Sequence, residues 1–498
     1  MCCCAVWRRA RRVVPRESPM PERSSSTVAT LVWISAFASA ALLCGCAIGP
    51  NYRQPDAPVP VVLSQANGPG YTPTEPVVSG VWASFNEPEL DALIVRAEQE
   101  NRGIVQALAR LDQARALRGQ TIFGLLPTVT ASADRQRSEP SGRDPFLPPG
   151  QGATTVYRAG FDASWEIDVF GGARRAAEAT RRDFEAAAAD QAAVRLATVA
   201  EVVQTWFALR GAEQRLAIQR RNLANLQEDG RIFEARLEAG RGTALDTARQ
   251  RSLLASVAAQ IPGIEAEVVK QEQRLAVLTV LPITELRDKW LAANKSLPAP
   301  PSLVATGSPQ AWLKRRPDVA AAERRLAGAT ARIGVEQADF LPRLSLTGSF
   351  GYTAQARGEL FESATQRLSY GPTLSWSFLD FGRVRQRVRG ARARAREALA
   401  YYDETVLRAL EDTENALAGY RAATATLQAL DEGLAAAREA AQIARARFNA
   451  GASDYLPVLD AERTQLDFED RFTQAAVARA TSLAILYKAL AGDFARAE

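Results

Sequence analysis

Histidine, the side chain that most often moves protons at neutral pH, is absent from this chain of 498 residues. Without imidazole the chain cannot build a Ser-His-Asp or Cys-His nucleophile pair, a histidine-dependent zinc site or a proton switch near pH 7. We therefore expect neither an enzyme nor a cofactor or metal site. The residue types left for chemistry are five cysteines, all close to the amino terminus, and carboxylates at two turns, one in each half of the chain.

The cysteine best placed for chemistry is Cys46, which ends the run Leu-Cys-Gly-Cys at 43–46. A basic segment and an apolar stretch at 28–43 precede it, as in an export signal peptide. The apolar stretch is shorter than the ~20 residues that a helical bilayer span needs. The run resembles a bacterial lipobox, which implies cleavage after residue 45, lipidation of Cys46 and acylation of the new amino terminus, for example by palmitate. Alanine rather than aspartate at position 47 favours the outer membrane.

The net charge of +5 could suggest nucleic-acid binding. Residues 1–45 carry six arginines and two glutamates, however, so the chain without them is close to neutral. A second dense group of arginines, from Arg383 to Arg396, directly follows a predicted strand. We expect this group to form a solvated or tunnel-lining helix face, with no nucleic-acid partner.

An internal repeat divides the chain into two similar halves. Three segments recur in the same order, with the Leu-Pro pairs at 126–127 and 341–342 lying 215 residues apart. A repeat of this length determines the architecture before any single motif does. The predicted domains are a signal peptide at 1–45, a first repeat at 46–290 and a second repeat at 291–498.

Alternating hydrophobicity predicts two β-strands in each half. The pattern is strict at 156–167 and at 368–378, and a further strand follows each Leu-Pro pair. Strands of about ten residues with aromatic side chains on the apolar face are typical of outer-membrane barrels. Because four strands cannot close a barrel, we expect several chains to contribute. Two chains would give a filled barrel of eight strands, whereas three would give twelve and a water-filled lumen.

A long stretch with helical spacing follows the second strand of each half, at 171–240 and at 382–451. At about 1.5 Å per residue, each would span roughly 100 Å. Shorter helices are predicted at 87–123, at 243–281 with an interruption at Pro262, at 308–340 and at 454–492, and Pro-rich linkers at 55–76 and 298–309. The predicted fold is a mixed α and β membrane protein, in which a β-barrel continues into a long α-helical coiled-coil barrel.

Four motifs make the chain resemble a known family. They are W-x-x-F-x-x-P-x-L-x-x-L-I at 82–94, L-x-R-R-P-D-V-x-A-A-E-R at 313–324, I-G-x-x-x-A-D-F-L-P at 333–342 and R-F-x-A-G-x-x-x-Y-L-x-V-L-D-A at 447–461. Over residues 46–492 the chain resembles the TolC-like outer-membrane efflux factors, in the NodT-type lipoprotein branch. The resemblance implies a homotrimer with a twelve-strand barrel in outer-membrane lipid and a helical tunnel across the periplasm. The tunnel would receive drugs or other small molecules from a periplasmic adaptor (membrane fusion) protein and an inner-membrane pump of the RND type.

The turn after each long helix would then lie at the periplasmic mouth of the trimer. Asp460 and Leu456 match a constriction aspartate and an apolar constriction residue of the family, Asp454 and Tyr455 are their neighbours, and Asp246 is the counterpart in the first repeat. Three copies would form a ring of carboxylates with an apolar collar, which restricts ions until the helices separate. Asp454 and Asp246 could instead cap or flank the return helix.

Two further pairs, Arg236 with Gly240 and Arg447 with Gly451, resemble the tip motifs that contact the adaptor. Each glycine also suits ordinary helix termination, since glycine accepts the left-handed conformation after a last helical turn. Both interpretations can hold together. The first turn departs from the second at residues 242–243, so we do not expect the two turns to have equal roles.

Other functions fit parts of the sequence. The outer-membrane channel of a type I protein secretion system would use the same architecture. A periplasmic coiled-coil scaffold lipoprotein would keep the long helices without the aromatic-faced strands, and a passive porin would keep the strands without the helices. The exported substrate and the energy source of the pump stay open at this stage.

Overall fold

The computed structural model of the chain describes residues 47–55, 64, 71–72, 81–139, 141, 152–291, 304–305 and 307–491. The predicted signal peptide at 1–45 and the lipidation site at Cys46 lie outside the described residues. So do most residues of the predicted linkers at 55–76 and 298–309.

Helices make up most of the described chain and recur in the same order in both halves. The first half contains α1 (Pro88–Glu100), α2 (Arg102–Phe123), α3 (Gly172–Glu238) and α4 (Ala244–Thr279). The second half contains α5 (Pro309–Arg315), α6 (Pro317–Ala338), α7 (Phe381–Asn449) and α8 (Leu456–Ala489). The long helices α3 and α7 have 67 and 69 residues and are each about 100 Å long. The two predicted long helices are therefore confirmed.

The strands form one large sheet and one small one. They are β1 (Tyr71–Thr72), β2 (Thr128–Ser138), β3 (Thr154–Ile167), β4 (Val304–Ala305), β5 (Arg343–Ala354) and β6 (Gln366–Ser375). The long strands build a four-stranded antiparallel sheet in the order β2-β3-β5-β6. The two-residue strands β1 and β4 pair in parallel, apart from this sheet.

The register of the large sheet makes it amphipathic. Phe161 lies opposite Ala131 on one side and Phe350 on the other, and Phe350 also pairs with Leu368. One face is therefore apolar across all four strands. On the opposite face, Asp162 lies between a threonine of β2 and a serine of β5. This alternation is the pattern predicted for strands with one face in lipid and one in water.

The main hydrophobic core lies at the middle of the two long helices. Trp206 and Phe207 of α3 are fully buried there, and the ring of Phe207 lies 4.8 Å from that of Phe85. Leu417 of α7 and the last turns of α4 and α8 complete the same cluster. The return helices α4 and α8 therefore run from the far turns back to this core, while α2 and α6 pack beside the long helices between the core and the sheet.

Two predicted helices are each divided in the structure. The helix predicted at 87–123 is broken at Asn101, whose side chain accepts hydrogen bonds from the N–H groups of Gly103 (2.8 Å) and Ile104 (3.3 Å) and so caps α2. The helix predicted at 308–340 is broken before Pro317, because proline disfavours the helical conformation of the residue that precedes it.

Two other predicted details are wrong. Helix α4 continues through Pro262, which lies on its exposed face, where water can bond to the carbonyl left without a partner. The strand predicted at 368–378 ends at Ser375, so the aromatic residues that follow it lie between strand and helix.

Helices α3 and α4 each contain a stretch that could cross a membrane by length and composition. In α3, 56% of this stretch is buried inside the chain, as in the core helix of a water-soluble domain. Length and composition alone therefore assign no membrane span to either helix.

Candidate functional site

The turns that end α3 and α7 have the same backbone geometry. Gly240 and Gly451 adopt left-handed conformations, with φ of 68° and 71°. The N–H of Gly240 donates to the carbonyl of Leu237 (3.0 Å), and the next N–H donates to that of Arg236 (2.8 Å). Two bonds of the same lengths close the turn at Gly451. Both glycines thus end their helices as C-terminal caps, which leaves a role in partner contact open.

The first turn is held by a local cap. The hydroxyl of Thr243 accepts a hydrogen bond from the N–H of Asp246 (3.1 Å) and donates one to the Asp246 carboxylate (2.5 Å). This carboxylate is half-buried at the start of α4, where the helix dipole favours a negative charge. Of the two interpretations offered for Asp246, the geometry here is that of helix capping.

The second turn leaves its polar groups exposed. Helix α8 begins without a capping side chain, and Asp454 is exposed. Leu456, with 48% of its surface exposed, and Asp460 lie one helical turn apart on the same face of α8. Within the described part of the chain, the Asp460 carboxylate has no hydrogen-bond or ion-pair partner. The turn therefore presents an apolar side chain and a free carboxylate side by side.

Tyr455 lies inside the subunit, unlike its neighbours. It is only 4% exposed, and its ring centroid lies 3.8 Å from that of Phe233 and 5.3 Å from that of Phe448. Its hydroxyl donates to the side-chain oxygen of Gln250 (3.3 Å). Burial raises the pKa of Tyr455, and the nearby acidic groups raise it further. Tyr455 therefore supports the turn from within and does not line an exposed surface.

An ion-pair network that the sequence analysis missed lies beside this aromatic cluster. Arg445 of α7 bonds to Asp229 of α3 (2.5 Å) and to Glu462 of α8 (2.7 Å). Both carboxylates are largely buried, and burial raises the pKa of Glu462 against the attraction of Arg445. The residues lie far apart in the sequence, and only the shared helical repeat could have suggested their proximity. The network joins the ends of three helices.

The predicted contact residues surround the same end of the molecule. The guanidinium of Arg236 lies 4.6 Å from the ring centroid of Phe448, so it bridges from the first turn to the second. Arg447 is exposed. A Cβ atom built on Gly240 or Gly451 would meet no atom within 4 Å. The two turns therefore form one exposed tip that carries Arg236 and Arg447, with open space above each glycine.

The carboxylates of the tip are dispersed along three helices. Across the described residues, no group of three or more His, Cys, Asp or Glu side chains is arranged to hold a metal ion. The chemistry that this end offers is electrostatic, through exposed carboxylates and guanidiniums.

Comparison with known proteins places this geometry in context. The family model described as outer membrane efflux protein matches residues 93–279 and, separately, residues 308–492. Each match covers one of the two structural repeats, from α1 or α5 to the end of the return helix. The domain boundaries at 290 and 291 are not tested by these limits and stay a prediction.

Individual relatives match over most of their length. The pyoverdine export outer membrane protein OpmQ of Pseudomonas putida is 34% identical over 83% of this chain and 88% of its own. The outer membrane protein OprJ of Pseudomonas aeruginosa is 31% identical over 93% and 96%. Among solved structures, the outer-membrane channel OprN superposes with a TM-score of 0.84 at 37% identity, over 90% of this chain and 99% of its own.

Proposed function

The chain belongs to the outer membrane efflux protein family, and from this membership we propose that it is the outer-membrane channel of a tripartite efflux pump. It conducts small molecules, delivered by a periplasmic adaptor and an inner-membrane pump of the RND type, across the periplasm and the outer membrane. The observation that carries the proposal is the amphipathic four-stranded sheet, joined directly to helices about 100 Å long.

The open edges of this sheet support a homotrimer. Among the described residues, strands β2 and β6 have no neighbour on their outer sides, and a bilayer offers no water to bond to their backbone groups. Three copies supply twelve strands, which is enough for a closed barrel with a lumen. The apolar face, with Tyr370 80% exposed in a single chain, then contacts lipid, and the face with Asp162 lines the lumen.

We assign the periplasmic gate to the second turn. Leu456 and Asp460 are exposed on one face of α8, and three copies around an axis form an apolar collar next to a ring of negative charge. Such a ring repels anions and favours cations. Asp454 adds to the charge at the same level. Tyr455 positions the turn through its buried ring, and Asp246 holds the start of α4.

We assign the adaptor contact to the tip formed by both turns. Arg236 and Arg447 supply positive charge, and Gly240 and Gly451 leave space for close approach of a partner's backbone. Cysteine introduced at position 240 or 451 is expected to cross-link to the adaptor. A cysteine at position 119, a glycine with equally open surroundings at the opposite end of the tunnel, is the matched control.

The position of the first described residues supports a lipid anchor at Cys46. The N–H of Ile48 donates to the carbonyl of Phe170 (3.0 Å), between the end of β3 and the start of α3. Arg175 bonds to the carbonyls of Ile48 (3.1 Å) and Gly49 (3.3 Å). Ile48 and Gly49 therefore lie at the end of the sheet where α3 begins, close to where acyl chains on Cys46 would enter the bilayer.

The gate is tested by conductance of the purified channel in planar bilayers. The Asp460→Ala channel is expected to conduct more and to lose cation selectivity, because the carboxylate ring is removed. The Asp431→Ala variant, which removes an exposed carboxylate from α7 several helical turns before the second turn, is the control. Unchanged conductance of the Asp460→Ala channel would contradict the gate.

The same preparation separates the alternatives. A wild-type channel that is fully open without an adaptor indicates a passive porin, and release from membranes by salt rather than detergent indicates a scaffold. Export of a polypeptide through an ATP-driven partner indicates type I secretion.

A further inference from the structure

Four exposed arginines form a stripe along the start of α7, directly below the sheet. They follow Phe381 at intervals of four, eight, eleven and fifteen residues, which places them on one face of the helix with Phe381. These residues, named here the basic stripe, are Arg385, Arg389, Arg392 and Arg396. Among the described residues no carboxylate lies within ion-pair distance of the stripe, and Arg389 bonds only to the amide of Gln386 (3.5 Å).

The aromatic residues above the stripe indicate which way it faces. The ring centroid of Phe381 lies 6.4 Å from that of Trp376. Trp376 continues the apolar alternation of β6, and its indole N–H donates to the carbonyl of Phe340 (3.1 Å). Tryptophan in this position is typical of the boundary between lipid and water. The stripe therefore starts on the lipid-facing side of the wall, not on the side of the lumen.

A different flank of α7 makes the contacts within the subunit. Arg387 pairs with Glu336 (3.1 Å) and with Asp339, beside α6. Val384 and Val388 are also buried, on the side of α7 between Phe381 and Arg387. These contacts fix the rotation of α7 within the subunit and leave the basic stripe exposed on the single chain.

The first repeat shows that the fold does not require these arginines. The corresponding positions of α3, 211 residues earlier, are Arg174, Glu178, Arg181 and Glu185. There Arg174 pairs with Asp168 (3.2 Å) and Arg181 with Glu185 (3.7 Å). The same helix start is thus built once with alternating, paired charges and once with four like charges. Like charges at this spacing destabilise a helix unless an anion from outside the helix neutralises them.

We propose that the basic stripe binds the phosphate groups of anionic phospholipids in the periplasmic leaflet of the outer membrane. Arg385 and Arg389 lie about 6 and 12 Å beyond Phe381 along the helix axis. Side chains on a helix lean toward its amino terminus, which for α7 is the end at the membrane. Their guanidiniums therefore reach the headgroup layer and can bond to phosphate in pairs of hydrogen bonds.

The lower half of the stripe acts at longer range. Arg392 and Arg396 lie roughly 16 and 22 Å beyond Phe381, outside a headgroup layer about 5 to 7 Å thick. They attract anionic lipid only through a field that decays within about 8 Å at physiological salt. The half of the basic stripe nearest the membrane, Arg385 and Arg389, is thus the part that binds lipid.

The inference rests on the outer-membrane position of the proposed channel and is tested with the full-length, acylated protein in bilayers. The bilayers contain phosphatidylcholine with a minor fraction of phosphatidylglycerol, and the lipids retained by the protein after extraction are counted by mass spectrometry. The wild-type protein is expected to retain phosphatidylglycerol in preference to phosphatidylcholine. The Arg385→Gln/Arg389→Gln variant is expected to lose this preference by about tenfold.

The matched control is Arg392→Gln/Arg396→Gln, which removes the same charge from the same face farther from the membrane. Its loss is expected to stay below about threefold. Arg385→Lys/Arg389→Lys keeps the charge and is expected to retain most of the preference. It therefore shows whether the loss in the glutamine variant comes from the missing charge and not from misfolding. Equal losses in the two glutamine variants, no loss in either, or displacement of the lipid by inorganic phosphate would overturn the inference. A protein that does not enter bilayers at all would contradict the proposed function as well.

Discussion

The turns that end the two long helices share one backbone geometry and differ in what holds them. The first turn is fixed by a local cap, in which Thr243 and Asp246 satisfy each other. The second has no such cap and depends on distant contacts, through the buried ring of Tyr455 and the ion pairs of Arg445. The two repeats therefore share the backbone shape of the turn, but the polar side chains of the two turns have different partners.

This difference determines how the proposed gate could open. A turn held by a local cap keeps its conformation when its helix shifts as a whole. A turn held by contacts with other helices loses them together when those helices separate, so its opening is cooperative. We therefore expect the second turn to open first and the first turn to act as a fixed support.

The largest effect is expected from Tyr455→Ala. Removing a buried aromatic ring costs about 3 kcal/mol of local stability, because it leaves a cavity between Phe233 and Phe448. Amide hydrogens at 444–459 should then exchange about a hundredfold faster, while those of the first turn change little. The measurement is native-state hydrogen exchange followed by mass spectrometry.

The control for this variant is Tyr401→Ala, which removes a half-exposed tyrosine from α7, far from the second turn. Tyr455→Phe keeps the ring and loses only the bond to Gln250. If both turns exchanged faster to the same extent in Tyr455→Ala, the separate support of the two turns would be contradicted.

A smaller difference is expected between the capping positions of the two turns. Here the first turn, not the second, should lose more stability. Thr243→Ala removes a capping hydroxyl and should cost about 1 kcal/mol, seen as roughly fivefold faster exchange in the first turns of α4. Asp454→Ala, at the equivalent position of the second turn, removes an exposed side chain and should cost less than about 0.5 kcal/mol. Equal costs at the two positions would show that the second turn is also capped locally.

The sequence was sufficient for the architecture because the deciding patterns are periodic and repeated. Alternation at 156–167 predicted β3 and its two faces, and the uninterrupted helical spacing predicted α3 and α7. The errors arose where one residue acts through its surroundings. Pro262 is tolerated because it lies exposed, and Asn101 breaks a helical pattern because its side chain caps the next helix.

The candidate site was predictable in position but not in its internal contacts. Motif likeness placed Leu456 and Asp460 near the turn, and the structure exposes both. The burial of Tyr455, one residue before Leu456, depends on Phe233 of α3. Asp229, which pairs with Arg445, lies 216 residues earlier in the chain. No local pattern carries information over such a separation.

The smallest expected effect is a pH dependence confined to the second turn. Burial raises the pKa of Glu462, Asp229 raises it further, and Arg445 opposes both. The folded tip therefore binds this proton more tightly than the unfolded chain does. The resulting stability is complete below the ordinary pKa of 4.5 and is lost as pH rises through the raised value in the folded tip.

Protection factors from hydrogen exchange, which divide out the intrinsic effect of pH on exchange, should fall at 444–459 as pH rises from about 4.5. The fall should be smaller than the roughly fivefold effect of Thr243→Ala and should be absent in Glu462→Gln. Arg445→Gln removes the opposing attraction, so the fall should extend to higher pH. The first turn, which is capped by the Thr243 hydroxyl and lies outside the Arg445 ion pairs, is the internal reference. A matching fall there would remove the distinction between the two turns.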